Sequence, residues 1–171
     1  GSIAAYKSCE IIRRIKDDGF DITVIMTKEA EEFITPLTLQ TLSKNRVYAG
    51  LFDLAKEDFD PEHVSLVKKA DLILVAPATA NIIGKAASGI CDDLLSSVIM
   101  AAKIPILFAP AMNEGMWQNR ILQENIYKLK KLGYKFIEPE KGSLADGSVG
   151  EGRLAGIDKI LKEVKKVLQV H

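Results

Sequence analysis

Short apolar runs alternate along this chain with longer stretches whose apolar positions recur every three or four residues, and that alternation predicts its elements. Ile11, Ile12 and Ile15 form the apolar face of an opening helix that Gly19 closes. Ile22, Thr23, Val24, Ile25 and Met26 make a short β-branched run, which predicts a buried strand. Helical pieces follow over 30–34 and 36–42, the second with Pro36 in its first turn. Residues 71–76 predict another buried strand, and 82–87 and 92–102 predict helices interrupted by Gly89. The apolar run 106–109 predicts a further strand, after which Met116, Ile121, Leu122, Ile126 and Leu129 stripe one long helix ended by Gly133. Residues 134–137 predict the last strand and 140–156 a polar, glycine-rich loop. Ile157, Ile160, Leu161, Val164 and Leu168 stripe a final helix.

Strands alternating with helices imply an α/β, flavodoxin- or Rossmann-like fold of three layers, with a mostly parallel sheet covered on both faces. No internal repeat or linker divides the sequence, so residues 1–171 read as a single domain. Gly1-Ser2 reads as a phosphate-binding turn opening a helix, and such turns follow a strand. A first strand missing from this sequence is therefore expected ahead of it. A cleaved tag also leaves Gly-Ser behind, but the direct junction with a helix favours native sequence.

Composition narrows the function classes. Lysine plus arginine equals aspartate plus glutamate at 23 each, so no overall field attracts nucleic acid or an acidic membrane. No apolar run approaches the ~20 residues of a membrane-spanning helix. The cysteines, Cys9 and Cys91, are too few for a disulfide framework, which suits a reducing cytoplasm. Histidines and cysteines are scattered without zinc-ligand spacing, so no metal is expected.

Candidate chemistry concentrates where strands end. Pro110-Ala111-Met112-Asn113 follows the run 106–109 and leads into a helix, the place where open α/β sheets bind ligands. Asn113 there offers both a donor and an acceptor. Ala76-Pro77-Ala78-Thr79-Ala80-Asn81 is a second such turn, and Thr79 or Asn81 equally suits a helix cap. Thr27 has the same two readings. His63 sits between a polar turn, Asp60-Pro61-Glu62, and an apolar segment, where a lone histidine is more often structural.

Gly1 to Lys7, His63-Val64-Ser65-Leu66, Pro77 to Asn81, Pro110 to Asn113 and Leu144 to Leu154 occur in an order and register that span the chain. On these motifs the sequence resembles the homo-oligomeric FMN-containing cysteine decarboxylases. The resemblance implies FMN, with Gly1, Ser2 and Thr27 at its phosphate and Thr79, Ala80, Asn81, Ile82, Ala111 and Met112 along its ring. It implies a small-molecule substrate, 4′-phosphopantothenoylcysteine, oxidised to a thioaldehyde, decarboxylated to an enethiolate, then protonated and reduced to 4′-phosphopantetheine. His63 would take a proton in the first step and Asn113 would hold the departing carboxylate. The Leu144–Leu154 segment resembles a substrate clamp, with Ala145, Gly147 and Arg153 against the substrate.

One position departs from the pattern. Leu144-Ala145-Asp146-Gly147 carries aspartate where the family has the cysteine that donates a late proton. Asp146 suits that role only if closure of the clamp desolvates it and raises its pKa. Alternatively the reaction ends at the enethiol, as in peptidyl-cysteine decarboxylases, or the protein is a flavin-binding regulatory subunit. The resemblance also implies a homotrimer or larger assembly, and a ligase as a further domain or partner. Met100, Phe52 and Trp117 are apolar residues beyond the obvious needs of one core.

Overall fold

The computed structural model describes residues 1–50 and 62–168, without the side chains of Glu62 and His63. Ser2 opens the chain by accepting the Ala4 N–H at 3.2 Å, which caps a 3₁₀ turn, Ile3–Tyr6. The turn continues into α1 (Lys7–Asp17). β1 (Val24–Ile25) and β2 (Val47–Tyr48) pair in parallel around α2 (Lys28–Glu31) and α3 (Pro36–Ser43). Then come α4 (Glu62–Lys69), β3 (Ile73–Ala78), α5 (Ala80–Ser88) and α6 (Leu94–Ala101). β4 (Ile106–Pro110) is followed by α7 (Glu114–Trp117) and α8 (Arg120–Lys131). β5 (Lys135–Phe136), a hairpin of β6 (Glu140–Ser143) and β7 (Val149–Arg153), and α9 (Ile157–Leu168) complete the order.

β3, β4 and β5 form one parallel sheet. Its middle strand is buried along its whole length, and its side chains alternate between two cores. Ile106 and Phe108 point to one face, where Ile83, Ile99, Ile126 and Leu129 of α5, α6 and α8 cover them. Leu107 and Ala109 point to the other, against Ile11 of α1 and Ile160 and Val164 of α9. Phe108 stacks on Phe136 at 5.1 Å between ring centroids, which fixes β5 beside β4. This is the expected three-layer arrangement. A third cluster, built on Ile12, Met26 and Leu39, packs α1 and α3 around β1.

β1 and β2 make a separate sheet. A cleft of about 1200 Å³ runs between it and β3, from Phe20, Asp21 and Asp71 at the amino ends of the strands to Thr27 and Thr79 at the carboxyl ends. It is lined by α1 and α9 on one side and by α4 and α6 on the other, and Gly1 lies at its carboxyl end.

Several local expectations are corrected. The helix expected as one piece after β4 is two, because the Asn119 side chain accepts the Ile121 N–H at 2.9 Å and starts α8 afresh. Residues 140–156 contain an antiparallel hairpin where a loop was expected. β2 was not foreseen. Trp117 is part of the main core and is not surplus apolar surface, whereas Met100 is exposed and Phe52 lies outside the described residues.

Candidate functional site

Three helix starts converge on the carboxyl end of the cleft. Ser2 caps the opening 3₁₀ turn. Thr27 accepts the Ala30 N–H at 3.3 Å and caps α2, and Thr79 accepts the Ile82 N–H at 3.4 Å and caps α5. The capping readings of Thr27 and Thr79 are therefore met, and they leave the binding reading open. A hydroxyl that accepts from a backbone N–H still has its own proton to donate, and at Thr27 that proton goes to the Glu29 carboxylate in this structure. Gly1 is required where it stands, since a Cβ there would collide with the side chain and backbone of Glu29.

All nine residues expected at the cofactor line this one cleft: Gly1, Ser2 and Thr27, then Thr79 to Ile82, then Ala111 and Met112. Polar atoms gather at the Gly1 end. Ile82 and Ala111 are buried, and with Met112 and Met116 they add apolar lining at the carboxyl end of the cleft. Polar and apolar lining together suit a group with an anionic tail and a planar apolar ring, such as FMN. Glu29 also faces the polar end. Its own backbone N–H and the Thr27 hydroxyl hold its carboxyl below the usual range, so it is charged and an incoming anion must approach past it.

Asn113 stands one residue beyond the cleft lining. Its side-chain oxygen accepts the Gly115 N–H at 2.8 Å and caps α7, which fixes the amide and aims its nitrogen outward. That nitrogen donates to Asp146 Oδ2 at 2.8 Å. The other carboxylate oxygen, Oδ1, accepts from the Ser148 hydroxyl at 2.6 Å and the Ser148 N–H at 2.9 Å. The Ser148 hydroxyl, its N–H and the Asn113 amide hold the Asp146 carboxyl below the ordinary aspartate range. Asp146 is exposed and ionised at neutral pH. In this structure it is not desolvated, the condition under which it would serve as the late proton donor.

The hairpin is bonded to the turn before α7 at further points. Met112 N–H donates to the Gly152 carbonyl at 2.9 Å, and the Glu151 N–H donates to Glu114 Oε1 at 3.0 Å. Gly152 has φ +127°, and a Cβ there would run into the Met112 carbonyl, so glycine alone permits this approach. Arg153 lies across Gly142 of the neighbouring strand. Lys7 is lowered first by burial and then by Arg153 nearby, with Glu140 acting in the opposite direction, so two cations approach each other at the base of the hairpin. Ala145 and Gly147 flank Asp146 at the hairpin tip, and neither they nor Arg153 line the cleft.

His63 falls in the first turn of α4, and its side chain lies outside the described residues. The later α4 residues Ser65 and Leu66 line the cleft. Glu114 and Ser148 were missed. Ser148 had a readable signal, an Asp-Gly-Ser turn in which the serine two places on bonds back to the aspartate. Glu114 had none, because the backbone group it holds is 37 positions away. Among the described residues no helix is long and apolar enough to cross a membrane. No group of three or more His, Cys, Asp or Glu there is placed to hold a metal.

Comparison with known proteins places this geometry among relatives. The family model described as Flavoprotein matches residues 1–169. The chain is 52% identical over 162 residues to the Coenzyme A biosynthesis bifunctional protein CoaBC of Borreliella burgdorferi, a match covering 95% of the chain and 41% of that protein. It is 46% identical over 173 residues to a probable phosphopantothenoylcysteine decarboxylase of Streptococcus mutans, covering 98% of the chain and 94% of the relative. It thus spans about two fifths of the bifunctional relative and nearly all of the shorter one. Among solved structures, a PPC decarboxylase mutant complexed with pantothenoylaminoethenethiol superposes with a TM-score of 0.86 at 30% identity, covering 99% of this chain and 94% of that one. The FMN-dependent cysteine decarboxylase SpaF superposes with a TM-score of 0.84 at 27% identity, covering 99% and 91%.

Proposed function

This chain belongs to the Flavoprotein family, and from that premise we propose that it is an FMN-dependent carboxy-lyase converting 4′-phosphopantothenoylcysteine to 4′-phosphopantetheine and CO2 in coenzyme A biosynthesis. The observation that carries the reading is the convergence of the Gly1, Thr79 and Ala111 segments on one cleft, with Asn113 next in sequence at its edge. Gly1, Ser2 and Thr27 would hold the FMN phosphate through backbone N–H and hydroxyl donors, and Thr79 to Ile82 with Ala111 and Met112 would flank its ring. When bound, FMN supplies a two-electron acceptor for the cysteine CH2–SH group, which makes the carboxylate beside it able to leave.

The chain's own residues do the rest. His63 takes the thiol proton. Asn113 directs its amide N–H at the substrate carboxylate, orienting it without the strong ionic stabilisation an arginine would give and so without opposing loss of its charge. Ala145, Gly147 and Arg153 belong to the hairpin that closes on the substrate from the Asn113 side. A homotrimer or larger assembly belongs to the same proposal, supported by exposed Leu37, Met100 and Ile121. So does a ligase as partner or fused domain, supported by the bifunctional relatives.

A second reading has a specific observation in its favour. Asp146 is held ionised, which favours a reaction that ends at the enethiol, as oxidative decarboxylation does. Mass spectrometry after anaerobic incubation of flavin-loaded protein with phosphopantothenoylcysteine decides between them. Loss of CO2 alone supports the redox-neutral reaction, with Asp146 or a neighbour supplying the proton. Loss of CO2 together with two hydrogens identifies the oxidative one. An unchanged substrate rejects both.

A further inference from the structure

We infer that Asp146 is an internal carboxylate seated on the Asn113 amide, and that it competes there with the carboxylate of the ligand. The inference rests on the substrate reading above and assigns Asp146 a role in setting affinity, in place of proton donation.

Asn113 has one side-chain oxygen and one nitrogen to offer. The oxygen is committed to the Gly115 N–H, so only the amide nitrogen is available to an incoming carboxylate. In this structure it donates to Asp146 Oδ2 at 2.8 Å. Asp146 does not reach it by chance of a long side chain. Both Ser148 donors grip Oδ1, and the tight turn beneath is closed by Leu144 N–H to the Ser148 carbonyl at 2.9 Å and Gly147 N–H to the Leu144 carbonyl at 3.1 Å. The carboxylate is therefore presented, oriented and ionised, on the donor proposed to orient the substrate carboxylate.

Two carboxylates cannot share that amide without repulsion, since like charges at contact distance oppose each other even in a wet site. The amide nitrogen carries two N–H groups, so a ligand that carries the carboxylate either takes the second against the charge of Asp146 or displaces Asp146. One that lacks it does neither. The hairpin thus favours release of the decarboxylated product over retention of the acid, because losing CO2 returns the amide to Asp146. The remaining hairpin bonds, from Met112 N–H to the Gly152 carbonyl and from Glu151 N–H to Glu114, do not involve Asp146. The hairpin can stay docked while the latch opens.

The test uses flavin-loaded protein and two unreactive probes in which a hydroxyl replaces the thiol: phosphopantothenoylserine, which keeps the carboxylate, and phosphopantothenoylethanolamine, which lacks it. Binding is measured by calorimetry, and the Asn113 side-chain amide is followed by nitrogen-15 NMR. Asp146→Ala is expected to bind the serine probe about fivefold more tightly, the size of one modest polar contact, and the ethanolamine probe with unchanged affinity. Ser148→Ala, which frees Asp146 without removing it, is expected to shift the serine probe in the same direction by less, and it serves if Asp146→Ala does not fold. Equal or weaker binding of the serine probe by these variants overturns the competition.

If neither probe binds any version, the substrate reading fails and acetate replaces the probes. An Asn113 amide that responds to acetate in Asp146→Ala and not in the wild type then retains the inference. Equal responses overturn it.

Discussion

The carboxylate of Glu114 fills the space that a side chain on Gly150 would need, with its oxygens 2.7 Å from where a Cβ would stand. From that position it accepts the Glu151 N–H and binds β7 to the start of α7, one residue from Asn113. Gly150→Ala is expected to turn Glu114 aside, break that bond and leave flavin absorbance unchanged. The loss of about one net hydrogen bond should raise KM roughly fivefold with little change in kcat. Steady-state kinetics with the natural substrate, beside hydrogen exchange at Glu151, reads both effects.

Gly152 is the harsher position. Its φ of +127° excludes ordinary side chains, and the obstacle is the Met112 carbonyl, which is backbone and cannot swing away. Gly152→Ala is expected to cost about 1–3 kcal/mol from the backbone conformation alone. A lower urea midpoint with an unchanged m-value is the expected result, together with faster exchange of the Met112 N–H that donates to Gly152.

His63 separates binding from chemistry. His63→Asn is expected to keep flavin bound, because the residues proposed to flank the cofactor come from other segments, and to abolish CO2 release. Retained release in a flavin-replete sample would remove His63 from the reaction.

Lys85 joins the end of α5 to the turn before α6 through Asp92 at 2.6 Å and Asp93 at 2.7 Å. The hydrogen bond to Asp92, then that to Asp93, raises its pKa from 10.5 to about 12. A raised pKa in the folded state means that the contribution to stability is complete below 10.5 and is lost as pH climbs through about 12. Lys85→Met should therefore unfold at lower urea than the wild type at neutral pH, and the gap between them should close across that alkaline window.

The elements that sequence revealed are those whose burial is written in their own residues. β4 is apolar at consecutive positions because both of its faces are covered, and the turn after it, ending in Asn113, was readable for the same reason. β2 was hidden because Val47 and Tyr48 form a strand only through pairing with Val24 and Ile25. The hairpin was hidden because Lys141, Gly142, Ser143 and Gly150 show no apolar alternation, and its order comes from backbone bonds to a distant turn. The nine positions expected at the cofactor came from resemblance alone, and they line one cleft. The pairing of Asn113 with Asp146 could not be read from local pattern, since 33 positions separate them.

Ile11 and Ile12 are neighbours in sequence but belong to different cores, one beneath β4 and the other beside β1. α1 thus contributes neighbouring side chains to two hydrophobic clusters at once. Such a helix sets how far the molecule behaves as one cooperative unit. Loosening α1 should therefore lower the protection of β1 and β4 together, which native-state hydrogen exchange would read as one shared opening free energy.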